Sequence, residues 1–174
     1  MSLDVGMFGT LDLVKVASRK IGSQAPTVPV TEIDFQNLSL KNADLLEVIL
    51  GIKNPTGGAV NYYLYANGDF VLANYSLQVL AASGAAVIGL AQATPLWFLL
   101  GAGQSCMMCI KMSMGPDGHI LFCEYGEMQD NVFTILATAR TVNPVADINR
   151  LTLRAGVANS IGVGSSAILL EGIK

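Results

Sequence analysis

The chain has 174 residues, of which 52% are hydrophobic and only 13% are charged, with a net charge of −3. Soluble domains average about 25% charged residues, so we expect part of this surface to be buried against other chains. Lys and Arg are scattered and form no basic stripe, which argues against nucleic acid as a partner. The length fits one domain with a sizeable core.

Neither a signal peptide nor a membrane span is predicted. Met1–Thr10 has no basic segment followed by an apolar one, so synthesis in a cytoplasm is expected. No charged residue occurs between Asp69 and Lys111, but Pro95 and the polar and glycine positions around it interrupt this stretch. Because no apolar run reaches the roughly 18 residues that cross a bilayer, strands buried in a core or interface are favoured over a membrane span.

The first half of the chain alternates apolar and polar residues as β-strands do. Leu11–Lys20 fits a short helix or a strand equally well, whereas Thr31–Phe35 has a clear period of two. Leu45–Ile52 ends at the turn sequence Asn54–Gly58, and the tyrosine-rich Val60–Tyr65 follows. We therefore predict a hairpin of Leu45–Ile52 with Val60–Tyr65.

The middle of the chain contains further strands separated by turn sequences. Asn67-Gly68 predicts a tight turn within Ala66–Asp69. Gly115–Gly118 predicts a second turn, which closes a hairpin between the segments on either side of it. The predicted segments are Phe70–Leu80 (one strand, or a strand and a loop), Ala86–Ala91, Leu96–Leu100, Cys106–Met114, His119–Tyr125 and Val132–Ala139.

The last segment predicts two more strands. Asp147–Arg154 alternates, the glycine-rich Gly156–Ser165 follows, and Ser166–Ile173 is apolar again, which we interpret as an antiparallel pair joined by a long loop. Strands at this spacing are typical of a sandwich. The predicted fold is all-β: an antiparallel, jelly-roll-like β-sandwich in residues 30–174, preceded by an N-terminal arm or first strand in residues 1–29.

Three groups of segments, taken in order, carry a family resemblance. They are Ile33–Leu38 with Ala43–Val48, Tyr63–Asp69 with Asn74-Tyr75-Ser76, and Ile148–Arg154 with Gly164-Ser165-Ser166 and Leu169–Lys174. Together they resemble a β-sandwich domain of tailed-bacteriophage virion proteins. The chain departs from that pattern at Glu171, where an aromatic residue is usual, at Ala66, where Phe is usual, and in its Cys- and Met-rich strand.

The resemblance implies a virion structural protein without enzyme activity, made in the host cytoplasm. It implies a capsid decoration or head-fibre subunit that forms a symmetric homo-oligomer such as a trimer and contacts other virion proteins. Met1–Pro29 is the expected anchoring arm. The alternative is a glycan-binding, receptor-binding module of a tail fibre or of the neck and tail. No catalytic, cofactor or metal residue is predicted.

Cys106, Cys109, Cys123 and His119 are the residue types of a zinc site. The gap Met107-Met108 is not a metal-binding knuckle, and residues three apart on a strand point to opposite faces. Buried free thiols are therefore favoured, and a disulfide from Cys106 or Cys109 to Cys123 is the other alternative.

Three further candidates have a simpler structural interpretation. His119 is the only histidine, so a Ser-His-Asp system must use it, but its turn position favours a solvated side chain. Glu124 and Glu127 are a candidate pair for glycoside cleavage and are more simply solvated rim charges. Asn67-Gly68-Asp69 lacks the further acidic ligands that a Ca²⁺ site requires, so we expect only a turn there.

Apolar side chains in the uncharged stretch and beyond it are candidates for contacts. Trp97 with Phe98 is either a stacking platform for a sugar or, as its uncharged neighbours favour, a core or interface pair. Methionine side chains adapt to irregular surfaces, and we expect an intersubunit face rather than simple core at Met107, Met108, Met112 and Met114.

Overall fold

The structure, a computed structural model, describes residues 18–39, 41, 45–83, 86–128 and 133–172. Within these residues the chain forms twelve β-strands and one turn of 3₁₀ helix. Most of the expected arm Met1–Pro29, namely residues 1–17, lies outside the described residues, as does most of Leu11–Lys20.

The strands follow one another with short connections. Their bounds are β1 Ser18–Gln24, β2 Glu32–Phe35, β3 Leu45–Lys53, β4 Val60–Ala66, β5 Tyr75–Ser83, β6 Ala86–Gln92, β7 Leu96–Leu100, β8 Ser105–Met114, β9 Ile120–Met128, β10 Phe133–Thr141, β11 Leu151–Ala155 and β12 Ser166–Gly172. The 3₁₀ helix, Leu72–Asn74, leads into β5. The segment Phe70–Leu80 is therefore a loop and helical turn followed by a strand.

Two antiparallel sheets pack face to face. The larger sheet has the order β1-β12-β3-β8-β9-β10-β5-β6, and the smaller has the order β2-β11-β4-β7. Eight of the strands, β1-β12-β3-β8 and β2-β11-β4-β7, alternate between the sheets as in a jelly roll, and we call them the jelly-roll body. The other four, β9-β10-β5-β6, widen the larger sheet, and we call them the extension. The predicted jelly-roll-like sandwich is confirmed.

The core lies between the sheets because the strands alternate as the sequence predicts. In β3 and β8 every second residue is buried, including Leu50 and Ile110. In the smaller sheet the ring of Tyr62 stacks on Phe98, with 5.1 Å between ring centroids. Each strand of the body thus places one apolar face inward and leaves the other for solvent or partners.

Two of the three predicted hairpins are wrong. β3 and β4 are not paired, since β3 lies between β12 and β8 and β4 lies between β11 and β7. β11 and β12 likewise belong to different sheets, so the long loop between them crosses the sandwich. The β8–β9 hairpin is confirmed, with Met114 opposite Ile120 and Gly118 at φ 80° in its turn.

Asn54 explains how the chain turns the corner from β3 to β4. Its side chain is fully buried and donates to the carbonyl oxygens of Gly58, Leu100 and Gly101 at 2.8, 3.1 and 2.8 Å. Its amide oxygen accepts from the backbone N–H and the hydroxyl of Thr56. A buried amide with every bond satisfied holds this corner against the β7–β8 connection.

The extension is covered by the smaller sheet at one end only. On the core-facing side of β5, Tyr75 and Leu77 are buried and Val79 is half-buried. Leu90, opposite Val79 on β6, is 40% exposed. The larger sheet therefore projects beyond the smaller one along β5 and β6.

Candidate functional site

The three cysteines are spread over different environments. Cys106 is buried, Cys109 half-buried and Cys123 exposed, and none of the three forms a disulfide. In the β8–β9 register Cys109 lies opposite Tyr125 and Cys123 opposite Lys111, so the cross-hairpin disulfide does not form. The prediction of buried thiols outside a disulfide holds for Cys106, whereas Cys123 is exposed. Within the described ranges no three His, Cys, Asp or Glu side chains converge as metal ligands.

His119 fastens the β8–β9 turn to the end of β10. Its Nδ1 lies 2.8 Å from the carbonyl oxygen of Thr141, and its Nε2 lies 3.8 Å from Oδ2 of Asp117. The side chain is 17% exposed, so the expectation of a solvated histidine is wrong. The backbone N–H of Ile120 also donates to the Thr141 hydroxyl, at 3.0 Å. These contacts assign His119 a structural place in the hairpin.

Asn67-Gly68-Asp69 forms the predicted turn. Asn67 and Gly68 have φ of 54° and 69°, the left-handed values that Asn and Gly adopt most readily. The Asp69 carboxylate accepts from the N–H of Val71 and from the side chain of Asn74. The candidate pair Glu124 and Glu127 lies on β9, but the side chains of these residues are outside the described part of the structure. That pair therefore stays a prediction.

The Asn67 side chain has a role that sequence reasoning missed. Its Nδ2 donates to the Asp147 carbonyl oxygen at 2.8 Å, and its Oδ1 accepts from the N–H of Asn149 at 2.9 Å. The turn after β4 thus holds the segment that leads into β11. Asn-Gly alone predicts the backbone turn, whereas the long-range bonds depend on which strand lies beside it.

A polar cluster on the outer face of the smaller sheet centres on Asp34. Its carboxylate accepts from Arg150 Nε at 2.8 Å, from the Thr152 hydroxyl at 2.7 Å and from the Gln36 side chain. Burial by itself raises the pKa of Asp34, but the hydrogen bonds from Arg150, Gln36 and Thr152 outweigh it, so the pKa lies below its ordinary value. The arrangement stabilises an ionised carboxylate and joins β2 to β11.

The remaining predicted contact residues divide between core and surface. Phe98 is buried, while its neighbour Trp97 is half-buried opposite Tyr63 on the other face of β7, so the two do not form a single platform. Met108, Met112 and Met114 are buried on the core side of β8. The expected four-methionine intersubunit face is therefore wrong for these three residues, because alternation along the strand leaves only Met107 outside, at 70% exposure.

Next to the Asp34 cluster lies an open depression of about 350 Å³ with an aromatic lining. Tyr63 and Tyr65 contribute from β4, Arg154 from β11 and Phe70 from the loop before the 3₁₀ helix. The Arg154 guanidinium lies 5.1 Å from the centroid of the Phe70 ring, and that ring packs edge-on against Tyr65 at 5.0 Å. The depression combines one cation with three aromatic rings.

A second surface, at the far edge of the extension, is uncharged. Leu80 is 50% exposed on the outer face of β5, and Leu90 is 40% exposed on the opposite face of β6. β6 is the last strand of the sheet, and no strand in the described part of the chain pairs with its outer edge. The hairpin β5–β6 therefore presents apolar side chains on both faces and free backbone groups at its edge.

No family model matches the chain, and no curated protein is similar to it at a significant level. In the described residues no helix is long and apolar enough to cross a membrane.

Proposed function

We propose that this protein is a non-enzymatic structural subunit that assembles with copies of itself through the β5–β6 hairpin, as a capsid decoration or head-fibre protein of a tailed bacteriophage. The observation that carries the proposal is the uncharged, two-sided apolar edge formed by this hairpin, with Leu80 and Leu90 exposed on opposite faces.

An edge strand with these properties is unusual for a protein that works alone. Soluble monomers place charges, proline or bulges on exposed edges to prevent pairing with other strands. β6 contains none of these, and its pairing with β5 runs without a register shift from Leu77 opposite Gln92 to Ser83 opposite Ala86. The edge is thus regular and suited to a further strand.

A second copy of this chain is the occupant that the charge pattern favours. A partner that recognises charge finds no counter-charge on β5, β6 or β7, because residues 70–110 contain neither acidic nor basic side chains. Two copies of β6 present equal, uncharged edges, and identical antiparallel edges pair about a two-fold axis in a self-complementary way. Leu90 on β6 then gains cross-strand neighbours from the second copy, and Leu80 lies one strand away from the shared edge.

The phage context is supported by where the three resembling groups of segments lie in the fold. Asp34 in the first group bonds to Arg150 and Thr152 in the third, and Asn67 in the second bonds to the backbone of residues 147 to 149 beside them. Each of the three groups therefore contributes a residue to the contacts that join β2, the turn after β4 and the start of β11. A shared framework of this kind fits a domain whose role is mechanical.

Light scattering on the purified full-length chain tests the assembly. We expect a mass of at least twice 18.3 kDa at micromolar concentration, and we expect Leu90→Lys and Leu80→Lys to give monomers because like charges of the two copies then lie close to the shared edge. The matched control is Val163→Lys, which changes a residue of similar exposure, 53%, in the β11–β12 loop. A parent chain that stays monomeric overturns the assembly proposal.

The virion location has its own test. We expect mass spectrometry of purified particles of the phage that encodes the chain to detect the protein. Its copy number per particle should be a multiple of the number of subunits in the oligomer. Particles that lack the protein contradict the virion placement while leaving self-assembly intact. The alternative function, a glycan-binding module, concerns a different surface, the aromatic depression on the smaller sheet.

A further inference from the structure

The aromatic depression contains a buried polar atom with no partner. Tyr65 is only 6% exposed, yet its hydroxyl makes no hydrogen bond to any of the residues that the structure describes. The buried tyrosines Tyr62 and Tyr75 differ from it, because their hydroxyls donate to the carbonyl oxygens of Ser160 and Asp69 at 2.7 and 2.8 Å. Buried hydroxyls are normally bonded, and an exception in a surface depression points to a missing acceptor or donor.

Arg154 supplies a cation beside this hydroxyl. Its side chain is exposed and lies over the Phe70 ring, and it forms no ion pair with Glu32, the residue opposite it on β2. Burial first, and then the neighbouring Tyr63, raise the pKa of Tyr65, while the Arg154 charge acts in the opposite direction. The neighbouring Arg150 is already engaged by Asp34 at 2.8 Å, so Arg154 is the arginine available to a ligand.

The shape and the rings complete the site. Tyr63 and Tyr65 lie with ring centroids 6.1 Å apart and an interplanar angle of 34°, with Phe70 at one side and the loop Ala155–Ala158 at the other. A volume of about 350 Å³ is at the lower end of the usual range for small-molecule sites and suits a single ring rather than an extended ligand.

We propose that this depression binds the carboxylate-bearing sugar unit of an acidic glycan. Arg154 pairs with the carboxylate, the Tyr65 hydroxyl bonds to a sugar hydroxyl, and the faces of Tyr63 and Phe70 contact the C–H groups of the sugar ring. The site lies on the smaller sheet, so this inference does not depend on assembly through β5–β6.

Calorimetric titration of the full chain with glucuronic acid and with glucose tests the proposal, because the two sugars differ only in the carboxylate. We expect saturable binding of glucuronic acid and at least tenfold weaker binding of glucose. Arg154→Gln is expected to lower the affinity for glucuronic acid about tenfold and Tyr65→Phe about fivefold. The control Arg140→Gln, an exposed arginine on β10, is expected to leave the affinity unchanged.

Equal binding of the two sugars, no saturable binding of either, or an unchanged affinity in Tyr65→Phe would overturn the proposal. A second measurement follows from the unpartnered hydroxyl itself. Tyr65→Phe should not lower the denaturation midpoint, because no protein bond is lost. A lowered midpoint means that the hydroxyl has a structural partner, which removes the basis of the site.

Discussion

The jelly-roll body and the extension are both made of apolar antiparallel strands, yet they differ in how far their side chains are covered by the facing sheet. In the body, the polar side chains of Asn54 and Thr152 are buried with hydrogen-bond partners, and each sheet covers the inner face of the other. In the extension, cover from the smaller sheet ends near Val79, and exposed leucines follow. The comparison shows that most of the buried contacts lie in the body and that the exposed leucines at the end of the sheet lie in the extension.

The largest expected effect on the free energy of unfolding comes from shortening a leucine to alanine in the body, compared with the same change in the extension. Leu50→Ala removes a side chain that is 1% exposed in the body, and we expect a loss of about 3–4 kcal/mol in the free energy of unfolding from the lost burial and the cavity. Leu80→Ala, in the extension, should cost less than about 1 kcal/mol because half of that side chain is already exposed. Urea denaturation of the Leu90→Lys background, where the chain is expected to be monomeric, measures both. Similar losses would contradict the division.

The next effect concerns the polar corner of the body. Asn54→Ala removes the side-chain donor to the carbonyl oxygens of Leu100 and Gly101 and the acceptor of the Thr56 N–H, and we expect a loss of about 2–4 kcal/mol. Asn143→Ala, at an exposed asparagine after β10, is the control and should be close to neutral. Denaturant unfolding followed by tryptophan fluorescence measures both variants. A neutral Asn54→Ala would show that the corner is held by the strands alone.

A smaller effect depends on pH. Because the folded-state pKa of Asp34 lies below the ordinary value of about 3.9, its stabilisation is complete above that pH and is lost as the pH falls through the folded-state pKa. Asp34→Asn should therefore cost about 1–2 kcal/mol at pH 7 and flatten the fall in stability under acid. Thr152→Val, which removes one of the donors, should have an intermediate slope. Thermal melts from pH 7 to about pH 2 cover the range in which the difference is lost, and parallel curves for parent and Asp34→Asn would contradict it.

The smallest effect on stability is expected for the two substitutions in the β5–β6 hairpin that should abolish assembly. Leu80→Lys and Leu90→Lys should change the free energy of unfolding of the monomer by less than about 0.5 kcal/mol, since both side chains are partly in water already. Chemical denaturation at a concentration where the parent is dissociated measures this. A large loss would indicate that the two leucines complete the fold rather than an interface.

The strands themselves were predictable because their signals are local. Leu96–Leu100 has the predicted bounds, and the β8–β9 hairpin follows from the turn Gly115–Gly118 between two apolar segments. In the segment Asp147–Arg154, which is predicted to alternate, the apolar residues Ile148, Leu151 and Leu153 are buried. Each of these features depends on neighbouring residues in the chain, which is the range over which turn chemistry and alternation act.

Strand pairing and the candidate sites were not predictable in the same way. Alternation states which side chains face inward, but the edge of β3 carries the same backbone donors and acceptors whichever strand lies beside it. The predicted partner of β3 was β4, whereas its partners are β8 and β12. The depression likewise joins residues of β4, β11 and the loop at Phe70. Tyr65 and Arg154 are far apart in the chain, and no local sequence pattern predicts that they lie side by side.

By itself, then, the sequence determined an all-β chain with its strands, its turns and an uncharged stretch from Phe70 to Ile110, because side-chain chemistry and backbone preference act locally. Only the tertiary structure decided that β3 and β4 belong to different sheets and that β5 and β6 project beyond the smaller sheet. It also decided that Tyr65 is buried beside Arg154 with no hydrogen bond from its hydroxyl to any described residue. The physical reason is that strand edges are chemically alike. The choice among them depends on how the two sheets together bury their apolar faces.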